Sequence, residues 1–363
     1  MLSKVIKHFN VKGEYVDAIP YGCGHINDSY AVTMNDDGNI YRLFVQRINH
    51  HIFTDVESLM NNIEYVTSYI KSELKKENKD DLKECLTLTK TLDNKNYYYD
   101  EINDMYYRIY VFIEDTITYQ IVSNNEVFYE CGKSFGKFQH YLACCDPSFI
   151  KDSIKDFHNT PKRYNDFIKA CELDKIKRLD LVKSEVEFVK VRFNDCHIIY
   201  DKLINKELPL RITHNDTKLN NILMDPISNK GICVVDLDTI MQGSVLYDIG
   251  DSLRFGCNTA PEDETNLDLV HFDESLFKSY VKGFLEETID SLTKEEIELI
   301  PFSAKLMTLE CGIRFLTDYL DGDNYFKIKH PNHNLDRART QFKLVLEIEQ
   351  KMPILKSIVK ELL

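Results

Sequence analysis

The chain has 363 residues, of which 43% are hydrophobic and none is tryptophan, so it is long enough for two lobes with sizeable cores. Its 45 basic and 59 acidic side chains give a net charge of −14, which argues against nucleic acid or an anionic membrane as the main partner. No apolar run reaches the roughly 18 residues of a membrane span. Ten cysteines without metal-ligand or redox spacing predict reduced, mostly buried thiols in a cytoplasmic protein.

The first third of the chain has the pattern of strands and turns. The sequence predicts an antiparallel sheet of about five strands, drawn from six alternating runs at residues 15–20, 29–33, 40–48, 86–91, 97–100 and 105–113. The pattern Thr54-Asp55-Val56-Glu57 is a capping box, which predicts a helix that extends to about residue 75.

After Glu114-Asp115 the pattern becomes helical. A second capping box at 123–126 opens a predicted helix to about residue 143, and apolar periodicity predicts further helices at 164–171, 179–203, 274–287, 293–320 and 335–362. Short β-like runs interrupt this pattern between 211 and 236. The sequence therefore predicts an α+β fold with a small antiparallel-sheet lobe, residues 1–113, and a larger, mainly helical lobe, residues 114–363.

Residues 214–221 read His-Asn-Asp-Thr-Lys-Leu-Asn-Asn and follow a short strand pattern. The spacing H-x-D-x-K-x-x-N is that of a kinase catalytic loop, in which one carboxylate orients and deprotonates a hydroxyl. Asp216 is the candidate base, and Lys218 is a candidate to offset charge on the transferred phosphoryl group. Taken singly, these residues also fit a loop-capping aspartate and an exposed surface lysine. We interpret His214 as a structural brace of the loop.

Fifteen residues later the sequence reads Val-Val-Asp-Leu-Asp-Thr, at the end of a buried-strand pattern. Magnesium prefers hard oxygen ligands and is shared with nucleotide phosphates. Asn221 and Asp236 are therefore the candidate magnesium ligands. Two roles are open for Asp238, which either binds a second metal ion or supports the residues that do.

The candidate phosphate-binding residues lie in the first lobe. Gly22 and Gly24 let backbone approach a phosphate, and Asn27 offers a side-chain donor, although an ordinary hairpin has the same pattern. Strand alternation places Gln46 where a nucleotide-binding cation is expected, with Glu64 on the following helix as a partner.

Seven segments of the sequence resemble the aminoglycoside phosphotransferase and choline kinase superfamily, which has a protein-kinase-like fold. The resemblance is closer still to the N-acetylhexosamine 1-kinases, and its N-terminal and C-terminal motifs are more specific than the catalytic loop. The segments that carry it are 21–30, 45–50, 112–116, 214–221, 235–241, 246–256 and 314–326.

The resemblance implies a two-lobed enzyme that uses ATP and Mg²⁺ to phosphorylate the anomeric hydroxyl of GlcNAc or GalNAc. We expect the protein to be a monomer. The resemblance also implies that Asp216 faces this hydroxyl, that Arg314, Tyr325 and His25 contact the sugar, and that adenine lies against backbone from Phe112 to Glu114. Gln46 departs from the basic residue usual in the superfamily.

Alternatives remain open at this point. Arg314 lies in an apolar helical stretch, and an ion pair with Glu310 or Asp318 would also account for it. The same fold would also serve another acceptor, such as an aminoglycoside, choline or another sugar, or a non-catalytic pseudokinase. A protein kinase is disfavoured, because Asp-Leu-Asp replaces Asp-Phe-Gly and no Ala-Pro-Glu segment is present.

Overall fold

The structure is a computed structural model that describes residues 1–22 and 26–363. Its strands are β1 Glu14–Pro20, β2 Asp28–Asp36, β3 Asn39–Ile48, β4 Leu88–Thr89, β5 Tyr98–Asp100, β6 Met105–Val111, β7 Arg211–Thr213, β8 Ile222–Met224, β9 Gly231–Val234 and β10 Met241–Gly243. Its α-helices are α1 Leu2–Val5, α2 Val56–Lys76, α3 Asn125–Leu142, α4 Thr160–Leu173, α5 Lys183–Lys190, α6 Ile198–Ile204, α7 Val245–Gly256, α8 Glu274–Thr288, α9 Lys294–Glu298, α10 Ile300–Asp321 and α11 His333–Glu361.

The chain forms two compact units. Unit 1 comprises Met1–Thr118, Cys144–Lys155 and Ile222–Gln242, and unit 2 comprises Tyr119–Ala143, Asp156–Asn221 and Gly243–Leu363. Unit 1 holds the large antiparallel sheet and unit 2 most of the helices, which confirms the predicted α+β fold class. The linear division into residues 1–113 and 114–363 stays a prediction.

The sheet of unit 1 has the strand order β1-β2-β3-β6-β4, with β5 also paired to β6. Its six strands coincide with the six predicted runs, so only the estimate of about five strands was too low. Alternation gives it two distinct faces. On one face Val32, Val45 and Ile109 pack against Phe9 from the start of the chain. On the other face Ser29, Gln46 and Arg108 stand directly opposite one another on β2, β3 and β6.

Two predicted helix starts are wrong by one residue. Asp55 caps α2 by accepting the Ser58 backbone N–H at 2.9 Å, and Asn124 caps α3 by accepting the Val127 N–H at 2.9 Å. The capping-box patterns place the caps at the preceding residues, Thr54 and Ser123. Aspartate and asparagine cap at least as well as threonine and serine, so the later position is taken.

Two of the predicted long helices are broken. The stretch 179–203 contains α5 and α6, separated by a 3-10 segment at Phe193–His197. The stretch 293–320 contains α9 and α10, with Pro301 in the first turn of α10. Proline lacks an N–H group and fits the first helical turn, so it favours a new helix start there.

Unit 2 is built on close helix packing. A Cβ atom on Gly132 of α3 would lie 2.1 Å from the Tyr280 carbonyl oxygen, and one on Gly283 of α8 would lie 2.2 Å from that of Tyr129. The backbones of α3 and α8 therefore approach so closely that only glycine fits at these two positions. Within residues 1–22 and 26–363, none of the helices is both long and apolar enough to cross a membrane.

Candidate active site

A single buried carboxylate anchors the loop that follows β7. Asp248 of α7 is 1% exposed, and its two oxygens accept the backbone N–H groups of His214 at 2.9 Å and Asn215 at 2.7 Å. Its backbone carbonyl accepts the Thr217 hydroxyl at 2.5 Å. Burial raises the pKa of Asp248 above its ordinary value, although these N–H groups oppose the rise. Because it holds both sides of position 216, Asp248 fixes the backbone that presents Asp216.

His214 is fully buried and packs edge-on against Phe135 and Phe138, with ring centroids 5.6 and 5.8 Å away. Its Nδ1 atom accepts the backbone N–H of Asp216 at 3.3 Å. These contacts support the interpretation of His214 as a brace of the loop.

The structure brings together three residues that the loop spacing singled out. Oδ1 of Asp216 lies 2.7 Å from Nζ of Lys218, and the Asn221 amide donates to Oδ2 of Asp216 at 3.0 Å. The same amide donates to the Asp216 backbone carbonyl at 2.8 Å. Burial alone would raise the pKa of Asp216, but Lys218, together with His214 and Asn221, holds it below its usual range. Asp216 is therefore an ionised carboxylate at neutral pH.

This arrangement defines what each side chain can do. An ionised carboxylate can accept a proton from an alcohol. The carboxylate of Asp216 raises the pKa of Lys218, so the lysine stays charged. The Nδ2 atom of Asn221 is used by Asp216, which leaves Oδ1 as the atom able to bind a hard cation.

Asp236 follows β9 in unit 1 and is exposed, with a left-handed backbone at φ 61°. This conformation is uncommon for residues other than glycine and often accompanies a functional site. In the part of the chain that the structure describes, no three His, Cys, Asp or Glu side chains form a metal cluster. The assignment of Asn221 and Asp236 to magnesium binding stays a prediction.

Asp238 is buried and fully engaged by protein groups. Its Oδ2 atom accepts from Nη2 of Arg108 at 2.9 Å and from Nδ2 of Asn27 at 2.5 Å, and its Oδ1 pairs with Nη1 of Arg108. The Ser153 hydroxyl bonds its backbone carbonyl at 2.9 Å. Of the two roles left open by the sequence, these contacts favour a supporting one.

Arg108 is the residue that sequence reasoning missed. It is 1% exposed and donates through Nε and Nη2 to Oε1 of Gln46 at 2.9 and 2.8 Å, while Gln46 donates to Ser29 at 2.9 Å. Burial would lower the pKa of Arg108, but Asp238 outweighs it and the pKa lies above the ordinary value. The one signal in the sequence was an arginine within the aromatic and apolar strand Met105–Val111.

The sequence led us to expect Glu64 as a partner of Gln46, but the structure gives Glu64 other partners. Its carboxylate pairs with Nζ of Lys90 and accepts from the Asn96 amide. Burial would raise the pKa of Glu64, but these two partners lower it. Gln46 is already satisfied by Arg108 and Ser29, which explains why the two side chains have separate partners. The assignment of Gln46 and Glu64 to nucleotide binding stays a prediction.

The glycine-containing turn is described only in part. Gly22 has a φ of 89°, and within residues 1–22 and 26–363 no atom lies within 4 Å of a notional Cβ at this position. Gly24 and His25 lie outside the described residues. Asn27 is held in place, because its Oδ1 accepts the Asn49 backbone N–H at 2.9 Å while its amide donates to Asp238.

The expected adenine-binding segment carries an aromatic and charged cluster. The Arg42 guanidinium lies 3.9 Å over the Phe112 ring, and its Nε donates to Oε1 of Glu114 at 2.9 Å. Tyr21 packs edge-on against Phe112, with centroids 5.1 Å apart. Hydrogen bonding to Glu114 raises the pKa of Arg42. The side chain of Glu114 thus has an internal partner, and the role of this segment in nucleotide binding stays a prediction.

Arg314 of α10 lies among aromatic rings. Its Cζ atom is 5.8 Å from the Tyr325 ring centroid and 5.5 Å from that of Phe326. Neither acid proposed as an alternative partner forms an ion pair with it among the described residues. Glu310 bonds His158 at 2.8 Å, and Asp318 accepts backbone N–H groups. The structure thus brings Arg314 and Tyr325 together. Their role in acceptor binding stays a prediction.

A model of the phosphotransferase enzyme family, named for the aminoglycoside phosphotransferases, matches residues 100–280 of this chain. The matched stretch contains Arg108, the loop with Asp216, the turn with Asp236, and Asp248.

Solved structures of small-molecule kinases have the same fold. A microcompartment-associated aminopropanol kinase matches with a TM-score of 0.64 and 15% identity, over 98% of both chains. Choline kinase from Cryptosporidium parvum matches with a TM-score of 0.61 and 13% identity, over 98% of this chain and 96% of its own. A spectinomycin phosphotransferase in complex with ADP and spectinomycin matches with a TM-score of 0.55 and 13% identity, over 97% of both chains. These likenesses confirm the predicted kinase-like fold.

Proposed function

We propose that this chain is an ATP-dependent kinase of N-acetylhexosamines, within the superfamily of aminoglycoside phosphotransferases and choline kinases that the family match and the kinase-like fold support. The reaction transfers the γ-phosphoryl group of ATP to the anomeric hydroxyl of GlcNAc or GalNAc. The products are the sugar 1-phosphate and ADP.

The observation that carries the proposal is the Asp216 carboxylate, held between Lys218 and Asn221 on a loop anchored by Asp248. In the proposed reaction, Asp216 accepts a hydrogen bond from the acceptor hydroxyl and then its proton. Lys218 offsets negative charge as the phosphoryl group moves. Phosphoryl transfer depends mainly on positioning and electrostatics, so a fixed backbone at this loop is what the reaction requires.

In this proposal Asn221 and Asp236, which the sequence motifs single out, are the residues that would hold Mg²⁺. The ion would supply charge neutralisation for the nucleotide phosphates. ATP as the phosphoryl donor is supported by the related fold that was solved with ADP. Asp238 and Arg108 contribute indirectly, by fixing the turn that follows Asp236.

The choice of acceptor rests on the C-terminal segment 314–326 and its resemblance to N-acetylhexosamine 1-kinases. Arg314 and the exposed ring of Tyr325 offer a cationic and an aromatic contact, a combination suited to hydroxyls and the apolar face of a sugar. The structural relatives include kinases of other alcohols and amino alcohols by name, so the fold leaves the acceptor open.

An acceptor panel tests this proposal. ADP release is measured with GlcNAc, GalNAc, glucose, choline and an aminoglycoside, each at saturating Mg²⁺-ATP. We expect turnover with at least one of the two N-acetylhexosamines and little with the others. Release of ADP only with choline or the aminoglycoside would show that the protein is a kinase with a different acceptor. Tight ATP binding without turnover on any acceptor would favour a pseudokinase.

A further inference from the structure

The loop that follows α10 is organised by one buried carboxylate. Gly322 and Asp323 both have left-handed backbones, at φ 105° and 59°, and they reverse the chain at the end of the helix. The next backbone N–H groups then converge on Asp318, which is 6% exposed. Those of Asn324 and Tyr325 donate to Oδ1 at 2.9 and 2.8 Å.

The second oxygen of Asp318 is equally engaged. Its Oδ2 atom accepts the Phe326 backbone N–H at 2.9 Å and the amide of Asn334 at 2.9 Å. Asn334 belongs to α11, is fully buried, and also donates to Oδ1 of Asp323 at 2.9 Å. Arg178 donates to Oδ2 of Asp323 at 2.5 Å. The loop is thus tied to both helices through hydrogen bonds to two carboxylates.

This network fixes a residue whose side chain is left in solvent. Tyr325 is 70% exposed, although its backbone N–H is one of those held by Asp318. Its ring packs edge-on against Phe326 at 4.7 Å, and Arg314 lies within 5.8 Å of both rings. The backbone of Tyr325 is therefore fixed from within the protein, while its ring stands beside Arg314 and is accessible to a ligand.

We propose that Asp318 is a positioning residue for acceptor binding: it fixes the 323–326 loop so that Tyr325 stands beside Arg314. Asp318 does not itself touch the acceptor. The inference rests on the proposed function, because it takes Arg314 and Tyr325 as acceptor contacts. It adds that the carboxylate beneath the loop determines acceptor affinity.

The variant Asp318→Asn tests this with almost no change in volume. The carboxylate accepts two donors on each oxygen, so an amide NH₂ group in either orientation would face two donors. We expect the KM for the acceptor to rise about tenfold, the loss typical of a hydrogen bond to a charged group. The kcat and the KM for ATP should stay close to wild type. The matched control is Asp321→Asn, on the same helix, where the acid pairs with Lys175 at 2.9 Å.

A fluorescence measurement reports on the loop without any acceptor. The chain has no tryptophan, so Tyr325→Trp introduces a single indole into the loop. We expect Asp318→Asn in that background to lower the steady-state anisotropy of the indole and to increase its quenching by acrylamide. The circular dichroism of the helices should not change.

The two measurements separate this inference from the proposed function. If neither hexosamine is phosphorylated, the acceptor assignment fails, and the KM comparison is made with whichever acceptor does release ADP. Unchanged anisotropy in Asp318→Asn, or an unchanged acceptor KM, overturns the inference with any acceptor. If Asp318→Asn does not fold, Asn334→Ala removes one of the four donors to Asp318, together with the bond to Asp323, and we expect a smaller rise in acceptor KM and a smaller fall in anisotropy. Wild-type values in that variant would equally overturn the inference.

Discussion

The Nζ atom of Lys218 lies 2.7 Å from Oδ1 of Asp216, so the proposed base and the proposed charge-offsetting cation form one ion pair. The pKa of each group shifts in the direction that keeps both charged, with Asp216 lowered and Lys218 raised. The amide of Asn221 holds the other carboxylate oxygen. An acceptor hydroxyl would therefore meet a carboxylate that is already ionised and oriented.

The variant Asp216→Asn removes the base but keeps the shape of the side chain. We expect kcat to fall by roughly 10²- to 10⁴-fold, the usual contribution of a general base, while ATP affinity stays near wild type. Steady-state ADP release and calorimetric titration with ATP measure the two quantities. The control is Asp290→Asn, an exposed acid beyond α8. Turnover at the wild-type rate in Asp216→Asn would exclude this residue as the base.

The variant Lys218→Met removes the cation that lowers the pKa of Asp216. The folded-state pKa of Asp216 should then rise, so its ionised form is lost at a higher pH. We expect the acidic limb of the kcat/KM profile to shift to higher pH and the maximal rate to fall. The exposed Lys230→Met serves as the control. An acidic limb that stays in place would show that Asp216 does not set it.

The variant Asp248→Asn replaces one acceptor oxygen by a donor that faces the backbone N–H group of His214 or Asn215. We expect a loss of about 2 kcal/mol or more in the free energy of unfolding, because buried donors lose their partner. The kcat should fall as well, since Asp216 is no longer held in place. Chemical denaturation and ADP release measure these effects, with the exposed Asp268→Asn as control. Full stability together with full activity would contradict the anchoring role.

Because Arg108 and Asp238 form a buried ion pair, we expect substitutions at the two residues to have strongly coupled effects on the free energy of unfolding. Arg108→Met alone leaves a buried carboxylate unpaired, which typically costs about 3–5 kcal/mol of stability. Asp238→Asn alone leaves the guanidinium without its counter-charge. We expect the double variant to be less destabilised than the sum of the single variants, as determined by urea denaturation in a double-mutant cycle. Additive losses would show that the pair is not coupled.

The sequence was most informative about candidate site residues that lie close together along the chain. Asp216, Lys218 and Asn221 lie within six residues of each other, so their spacing alone predicted their proximity, which the structure shows. Strand alternation placed Gln46 where a nucleotide-binding cation is expected, and in the structure Arg108 stands directly opposite Gln46 on the neighbouring strand.

Contacts between distant positions were not accessible in this way. Arg108 and Asp238 are 130 positions apart, and nothing local to either residue indicates the other. Asp248 stood in a motif that carried the family resemblance, but its hydrogen bonds to the catalytic loop depend on the packing of α7. For Glu64, by contrast, the sequence suggested a contact that is not formed. The pattern of kinase nucleotide sites suggested Gln46 as its partner, whereas Lys90 and Asn96 bind its carboxylate.

The most direct test of the account is the identity of the phosphorylated product. Wild-type protein is incubated with Mg²⁺-ATP and GlcNAc or GalNAc, and the products are followed by ³¹P and ¹H NMR. We predict a new phosphomonoester whose phosphorus couples to the anomeric proton, formed in equal amount with ADP and absent with Asp216→Asn. A phosphoryl group at any other hydroxyl, or no sugar phosphate with either hexosamine, would contradict the account.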